Sequence, residues 1–137
     1  MHADVFLDTN ILLYACSGAP ADAEKKATAT DLILNTQFGL SSQVLQEFIA
    51  NALRKPALGI TEFGIDATLE LATHAPVQPV DLELVMHSVS LRRRFQISHW
   101  DATIIAAAQA LGCQTLYSED MNHGQEFEGV RVVNPFL

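Results

Sequence analysis

Val5-Phe-Leu-Asp-Thr-Asn10 sets the pattern of this chain: three apolar residues stop abruptly at an acid and two further polar side chains. A short apolar run of this kind suits a buried strand that ends in a polar turn. Asn10 is placed to cap a helix over Ile11–Ala15. Downstream, Gly18, Pro20 and Asp22 mark a turn, and Ala23–Asn35 is rich in strong helix formers. Phe38-Gly-Leu40 reads as a second strand, followed by a helix from about Ser42 to Leu53. Arg54-Lys-Pro-Ala-Leu-Gly59 breaks the pattern as a loop, and Glu62–His74 resumes it as a helix. Val77-Gln-Pro-Val80 fits an edge strand, since its proline cannot donate to a ladder.

Asp81 can cap a helix over Leu82–Phe95, and Ser98 opens another, Trp100–Leu111, closed by Gly112 as a left-handed cap residue. Cys113–Tyr117 and Val130–Val133 complete the strands. Strands separated by helical stretches define an α/β fold with a central parallel sheet covered on both faces. No linker or repeat interrupts it, so residues 1–137 are expected to form a single domain.

Half the residues are apolar and charge is mixed among them throughout, as in a globular protein. No apolar run reaches the length of a membrane span, and Met1-His-Ala-Asp4 lacks the basic start of a secretory signal. Cys16 and Cys113 have no metal-binding spacing, so they are expected to be reduced thiols in a cytoplasmic protein. A net charge of −8 excludes a broad DNA-coating role, for which a basic surface is needed.

Four acids sit where strands end or helices begin: Asp8, Glu47, Asp101 and Asp120. In an alternating α/β chain such positions converge on one edge of the sheet, where ligands bind. Carboxylates gathered there repel unless a positive charge sits among them, and hard divalent cations such as Mg²⁺ and Mn²⁺ prefer oxygen ligands. Two such ions would cancel half of the −8.

Each acid also has an ordinary structural explanation. Asp8 could only form a turn, although Thr9 and Asn10 already supply that chemistry. Ser98-x-x-Asp101 resembles a capping box, yet at helical spacing Asp101 falls in line with Ile104, Ile105, Ala108 and Leu111. Glu47 could be a boundary residue beside Val44 and Phe48; it is also the only acid between Asp31 and Glu62. Of the neighbours Glu119 and Asp120, Asp120 is preferred because it shares a side with Ser118, whose hydroxyl can position a carboxylate. Arg92-Arg-Arg94 could complement a helix dipole or, lying shortly before Asp101, contact phosphates. The histidines show no zinc-binding spacing.

These motifs together resemble the PIN domain family, and within it the VapC-type toxins of prokaryotic toxin–antitoxin modules. Phe6-Leu-Asp-Thr-Asn10 resembles the family's opening signature, Glu47 stands in place of its second acid, His99-Trp-Asp-Ala102 resembles the third motif and Leu116-Tyr-Ser-Glu-Asp120 the fourth. Val130-Arg-Val-Val-Asn-Pro-Phe136 resembles the closing strand, and Ser118 stands where many members carry threonine. The resemblance implies a three-layer α/β/α domain with four or five parallel strands. It implies an Mg²⁺- or Mn²⁺-dependent ribonuclease with Asp8, Glu47, Asp101 and Asp120 as catalytic, metal-holding residues, supported by Asn10 and Ser118. Its implied partners are RNA, a cognate antitoxin and a second copy of the chain, in the cytoplasm and away from membranes.

Two PIN alternatives stand beside this one: an RNA-processing nuclease without an antitoxin, and a silent RNA- or partner-binding module. The silent module is expected to have lost a carboxylate, and none is lost. A haloacid-dehalogenase-like phosphatase also starts from an aspartate after its first strand. It needs a second acid two residues on, where this chain has Asn10, and a late lysine, whereas Lys25, Lys26 and Lys55 all lie in the first half.

Overall fold

The computed structural model describes residues 2–137; Met1, part of the N-terminal stretch examined for a signal, lies outside the described residues. The elements run β1 (Val5–Leu7), α1 (Thr9–Cys16), α2 (Ala23–Asn35), β2 (Phe38–Ser41), α3 (Ser42–Arg54), α4 (Glu62–Ala72), β3 (Val77–Gln78), α5 (Leu82–Phe95), α6 (His99–Ala110), β4 (Thr115–Tyr117), β5 (Glu126–Phe127) and β6 (Val130–Val133). They form one six-stranded sheet in the order β3-β2-β1-β4-β6-β5. Five of the strands are parallel, and β5 joins antiparallel to β6 at the edge.

The strand order fixes the layers. From β1 the chain steps to β2 and then β3 in one direction, and right-handed crossovers place α1 to α4 on one face. The return from β3 to β4 passes β1 in the opposite direction, so α5 and α6 cover the other face. Helix-to-helix packing follows the same division: α1 lies against α2 and α3, α3 against α4, and α5 against α6. The result is a three-layer α/β/α sandwich whose order reverses between β1 and β4. Ligands bind beyond the carboxyl ends of strands at such a reversal.

Phe6, Leu7, Leu40, Leu116 and Val132 are fully buried in the sheet, with Ile11, Leu12, Val44 and Phe48 over one face. On the other face every residue of Ala102–Ala108 is buried, because α6 is sandwiched between the strands and α5. Each large side chain removed from water contributes roughly 1.5–3 kcal/mol, which offsets the entropy of ordering these short strands.

Several local expectations hold. Asp81 caps α5 by accepting from Leu84 N at 2.9 Å. Gly112, at φ 76°, closes α6 with a paired 6→1 and 5→2 arrangement, Cys113 N to Ala108 O and Gly112 N to Gln109 O, each at 3.0 Å. Both cysteines are free, and burial pushes the Cys113 thiol up to about 11.

Two expectations need correction. Asn10 is not the cap of the first helix: α1 starts at Thr9 with Asp8 as its N-cap, and Asn10 is built into the helix. The strand Glu126–Phe127 was not anticipated. It is turned back by Glu128 and Gly129, both at positive φ (47° and 94°), as a two-residue hairpin requires.

Candidate active site at the strand reversal

Asp8, Glu47, Asp101 and Asp120 all line one cleft of about 210 Å³. They come from the end of β1, the second turn of α3, the first turn of α6 and the loop after β4. Thr9, Asn10, Gln43, Asn51 and Lys55 add polar side chains to its wall, and Leu13, Trp100 and Ile104 apolar ones. A second pocket of about 110 Å³ shares Asp101 and Asp120, with Ile97, Ile105 and Phe127 among its lining.

Asp8 is buried, and each of its oxygens is occupied. Oδ1 accepts from Thr9 N at 2.7 Å, so the capping role and the site position are served by one carboxylate. Oδ2 accepts from Ser118 Oγ at 2.7 Å and from Asn10 Nδ2 at 3.4 Å. Burial raises its pKa to about 6, and repulsion from Asp120 and Glu47 adds to the rise. The bonds from Ser118 and Thr9 work in the opposite direction.

Asn10 is the junction of the site. Its Nδ2 also donates to Asp120 Oδ2 at 3.1 Å, while its Oδ1 accepts from Glu119 N at 3.2 Å. Ser118 is fully buried beneath the same loop and accepts from Asp120 N at 3.2 Å. Its hydroxyl therefore orients the Asp8 carboxylate and the Asp120 backbone, rather than the Asp120 carboxylate as the sequence suggested. Glu119 turns away from the cleft, to Lys25 Nζ and to Tyr14 OH at 2.5 Å.

Glu47 accepts from Thr9 Oγ1 at 3.0 Å and from Gln43 Nε2 at 3.1 Å. Asp101 occupies the third position of α6, and its backbone N donates to the cap hydroxyl of Ser98 at 3.0 Å. Burial raises the Asp101 pKa, the Ser98 bond opposes this, and Asp120 and Glu47 add repulsion. Capping geometry and cleft position coexist here, as they do at Asp8.

The donor set suits a hard divalent cation in its chemistry: four carboxylates, two of them raised in pKa by burial first and by their negative neighbours second. Gln43 Oε1, an oxygen on the same wall, is also the one buried side-chain polar atom without a hydrogen-bond partner among the described residues. The geometry is looser. Among the described residues, no three His, Cys, Asp or Glu side chains are gathered tightly enough to hold a metal ion. Asn10 bridges Asp8 and Asp120, and Thr9 and Gln43 donate to Glu47, so three of the four carboxylates already accept hydrogen bonds from neighbouring side chains.

Arg92, Arg93 and Arg94 are not brought to the carboxylates. They occupy the last turn of α5, where Arg94 pairs with Glu128 and lies over the Phe95 ring, and none of the three lines either pocket. The cation that does line the cleft is Lys55. Its place just beyond α3, four residues after Asn51 on the Glu47 helix, is the only sequence feature that could have drawn attention to it.

Replacing Ser118 by alanine tests the electrostatics described above. The Ser118 bond favours ionised Asp8, so its loss is expected to raise the Asp8 pKa further and move the acidic limb of any activity profile to higher pH. An unchanged carboxyl titration by NMR in chelator would refute this role.

The fold and its cleft define an α/β/α protein with a carboxylate-lined site at its strand reversal. The PIN domain family matches residues 5–125, and the chain belongs to that family. VapC20 of Mycobacterium tuberculosis, a sarcin–ricin-loop-cleaving toxin, is similar in structure with a TM-score of 0.69 and 22% identity, over 86% of this chain and 91% of that one. A toxin–antitoxin complex from Klebsiella pneumoniae is similar with a TM-score of 0.69 and 20% identity, over 96% and 97% of the two chains. FitAcB from Neisseria gonorrhoeae gives 0.61 and 20%, over 96% and 98%. At these identities the likeness is one of fold. No curated protein matches the chain by sequence.

Proposed function

We propose that the chain, folded as a single domain over residues 1–137, is a divalent-metal-dependent endoribonuclease and the toxin of a toxin–antitoxin pair. The observation that carries the nuclease reading is the convergence of Asp8, Glu47, Asp101 and Asp120, from four separate segments, on one cleft. The toxin reading draws support from the VapC20 and Klebsiella likenesses.

Asp8, Asp101 and Asp120 would hold Mg²⁺ or Mn²⁺, with Glu47 directly or through water. When bound, the ion would lower the pKa of a water and neutralise charge on the phosphoryl oxygens of an RNA phosphodiester. Asp8 must give up its proton to serve, and Ser118 Oγ and Thr9 N stabilise the ionised form at its two oxygens. Asn10 fixes Asp120 against Asp8 so that the pair does not splay. Thr9 and Gln43 aim Glu47 into the cleft.

No helix among the described residues is long and apolar enough to cross a membrane. In the proposed cytoplasmic setting, an antitoxin helix would cover Leu53 and Phe63, exposed on the packed helices α3 and α4. A homodimer would bury Leu82 and Met86, which lie one turn apart on α5.

The test is RNA cleavage by purified protein. Chelation is expected to stop it and Mg²⁺ or Mn²⁺ to restore it. Ca²⁺, larger and less strict in geometry, should support little turnover. Full activity in excess EDTA would eliminate the metal mechanism.

A further inference from the structure

Trp100 is the only tryptophan in the chain, and it is 66% exposed although it lines a polar, acid-rich cleft. Neither core packing nor capping accounts for an aromatic there. Its backbone is tied to the site. Gln43 Nε2 donates both to Trp100 O at 3.2 Å and to Glu47 Oε1 at 3.1 Å, tying the residue to a site carboxylate across α3 and α6. The His99 ring meets the indole edge-on, with centroids 5.6 Å apart at 69°. Lys55, on the same cleft, forms no ion pair among the described residues despite the acids around it.

We propose that Trp100 is a stacking platform for an unpaired base next to the scissile phosphate, with Lys55 contacting a phosphate of the same strand. This deepens the ribonuclease reading, on which it rests, by naming the residues of this chain that would meet the strand. An exposed indole and a free ammonium are the pairing that single-strand binding uses: base stacking is sequence-tolerant, and the cation tracks the backbone. A base inside a duplex stacks on its neighbours and does not offer its face, so paired RNA is excluded from this platform. The opposition of sign also has a use. Four carboxylates repel a bare phosphate, and Lys55 supplies local attraction on the wall where the strand enters.

The experiment uses the full chain with a randomised single-stranded RNA oligonucleotide, in Ca²⁺ to suppress turnover. Because Trp100 is the sole tryptophan, its emission reports the platform directly. Binding is expected to quench it, and an annealed duplex of the same length should not. With a labelled oligonucleotide, Trp100→Ala is expected to weaken binding roughly ten-fold, Trp100→Phe to retain most affinity, and Lys55→Gln to lower the salt slope by about one. In cleavage assays, Trp100→Ala should raise KM with kcat little changed, since stacking serves ground and transition states alike.

Emission unchanged by single-stranded RNA, or equal affinity for Trp100→Ala, would overturn the platform while leaving cleavage intact. Emission that shifts with protein concentration without RNA would also overturn it, assigning Trp100 to a contact between copies. Quenching by single-stranded RNA with no cleavage under any metal would sustain the platform and sink the ribonuclease reading instead.

Discussion

Replacing Asp8 by asparagine is expected to abolish metal-dependent RNA cleavage and, in chelator, to make the protein more stable at neutral pH. Mutations of groups that merely support a metal ligand cost about 10–100-fold, so loss of a ligand carboxylate should exceed about 100-fold. The stability gain follows from the raised pKa of Asp8, 3.8 shifted to about 6. A carboxyl whose folded pKa is raised contributes full stability below its unfolded value and loses it as pH climbs through the folded one. Wild-type stability attributable to Asp8 therefore falls between about pH 4 and pH 6 and stays low above that window. The distance from 3.8 to about 6 corresponds to about 3 kcal/mol at most. Asparagine does not titrate and still accepts from Thr9 N, so the variant should gain about 1–3 kcal/mol on the wild type between pH 4 and pH 7. Urea unfolding of both proteins at the two pH values checks this. Near-wild-type cleavage by the variant in Mg²⁺ would show that the proposed site is misplaced.

Asn10 should prove almost as sensitive, though it holds no charge. Its amide bonds Asp8, Asp120 and the Glu119 backbone together. Asn10→Ala is expected to lower metal affinity or activity by about 10–100-fold, and to cost about 1–3 kcal/mol through the unpaired groups left behind. Asn10→Asp is nearly isosteric but replaces a donor with a fifth carboxylate. It should be the worse variant above about pH 6 and recover relative to alanine in acid, where the added charge is neutralised. If alanine and aspartate variants behave alike across pH, the amide is a spacer rather than the link between carboxylates.

Much of this arrangement was legible in the sequence, because it depends on local pattern. The helix Leu82–Phe95 with its Asp81 cap, the strand at Val130–Val133 and the Gly112 stop all follow from short-range rules, and all appear. The four acids could be picked out for a related reason: each sits at an element boundary, and in a parallel sheet boundaries converge. What was hidden depends on packing between distant segments. Asp8 took the cap assigned to Asn10, freeing that amide to reach Asp120, 110 residues away. The Glu126–Phe127 strand has too few residues to show a period, and only the turn at Glu128-Gly129 marked it. Lys55 and Trp100 also lie at helix ends, just after α3 and in the first turn of α6, but neither is an acid, so the boundary pattern of carboxylates did not pick them out. Arg92–Arg94 looked close to Asp101 along the chain, yet α5 ends on the side of Glu128 rather than at the cleft.

The two margins of the sheet constrain how the molecule can meet another of its kind. One margin is β3, two residues followed at once by Pro79; the other is β5, also two residues, folded back by a tight hairpin. Neither exposes enough free N–H and C=O groups to template an added strand. Self-association by backbone ladder, the route to fibrous growth, is disfavoured at both ends. Assembly is thereby left to side chains, where recognition can be altered one residue at a time without touching the sheet that holds the carboxylates.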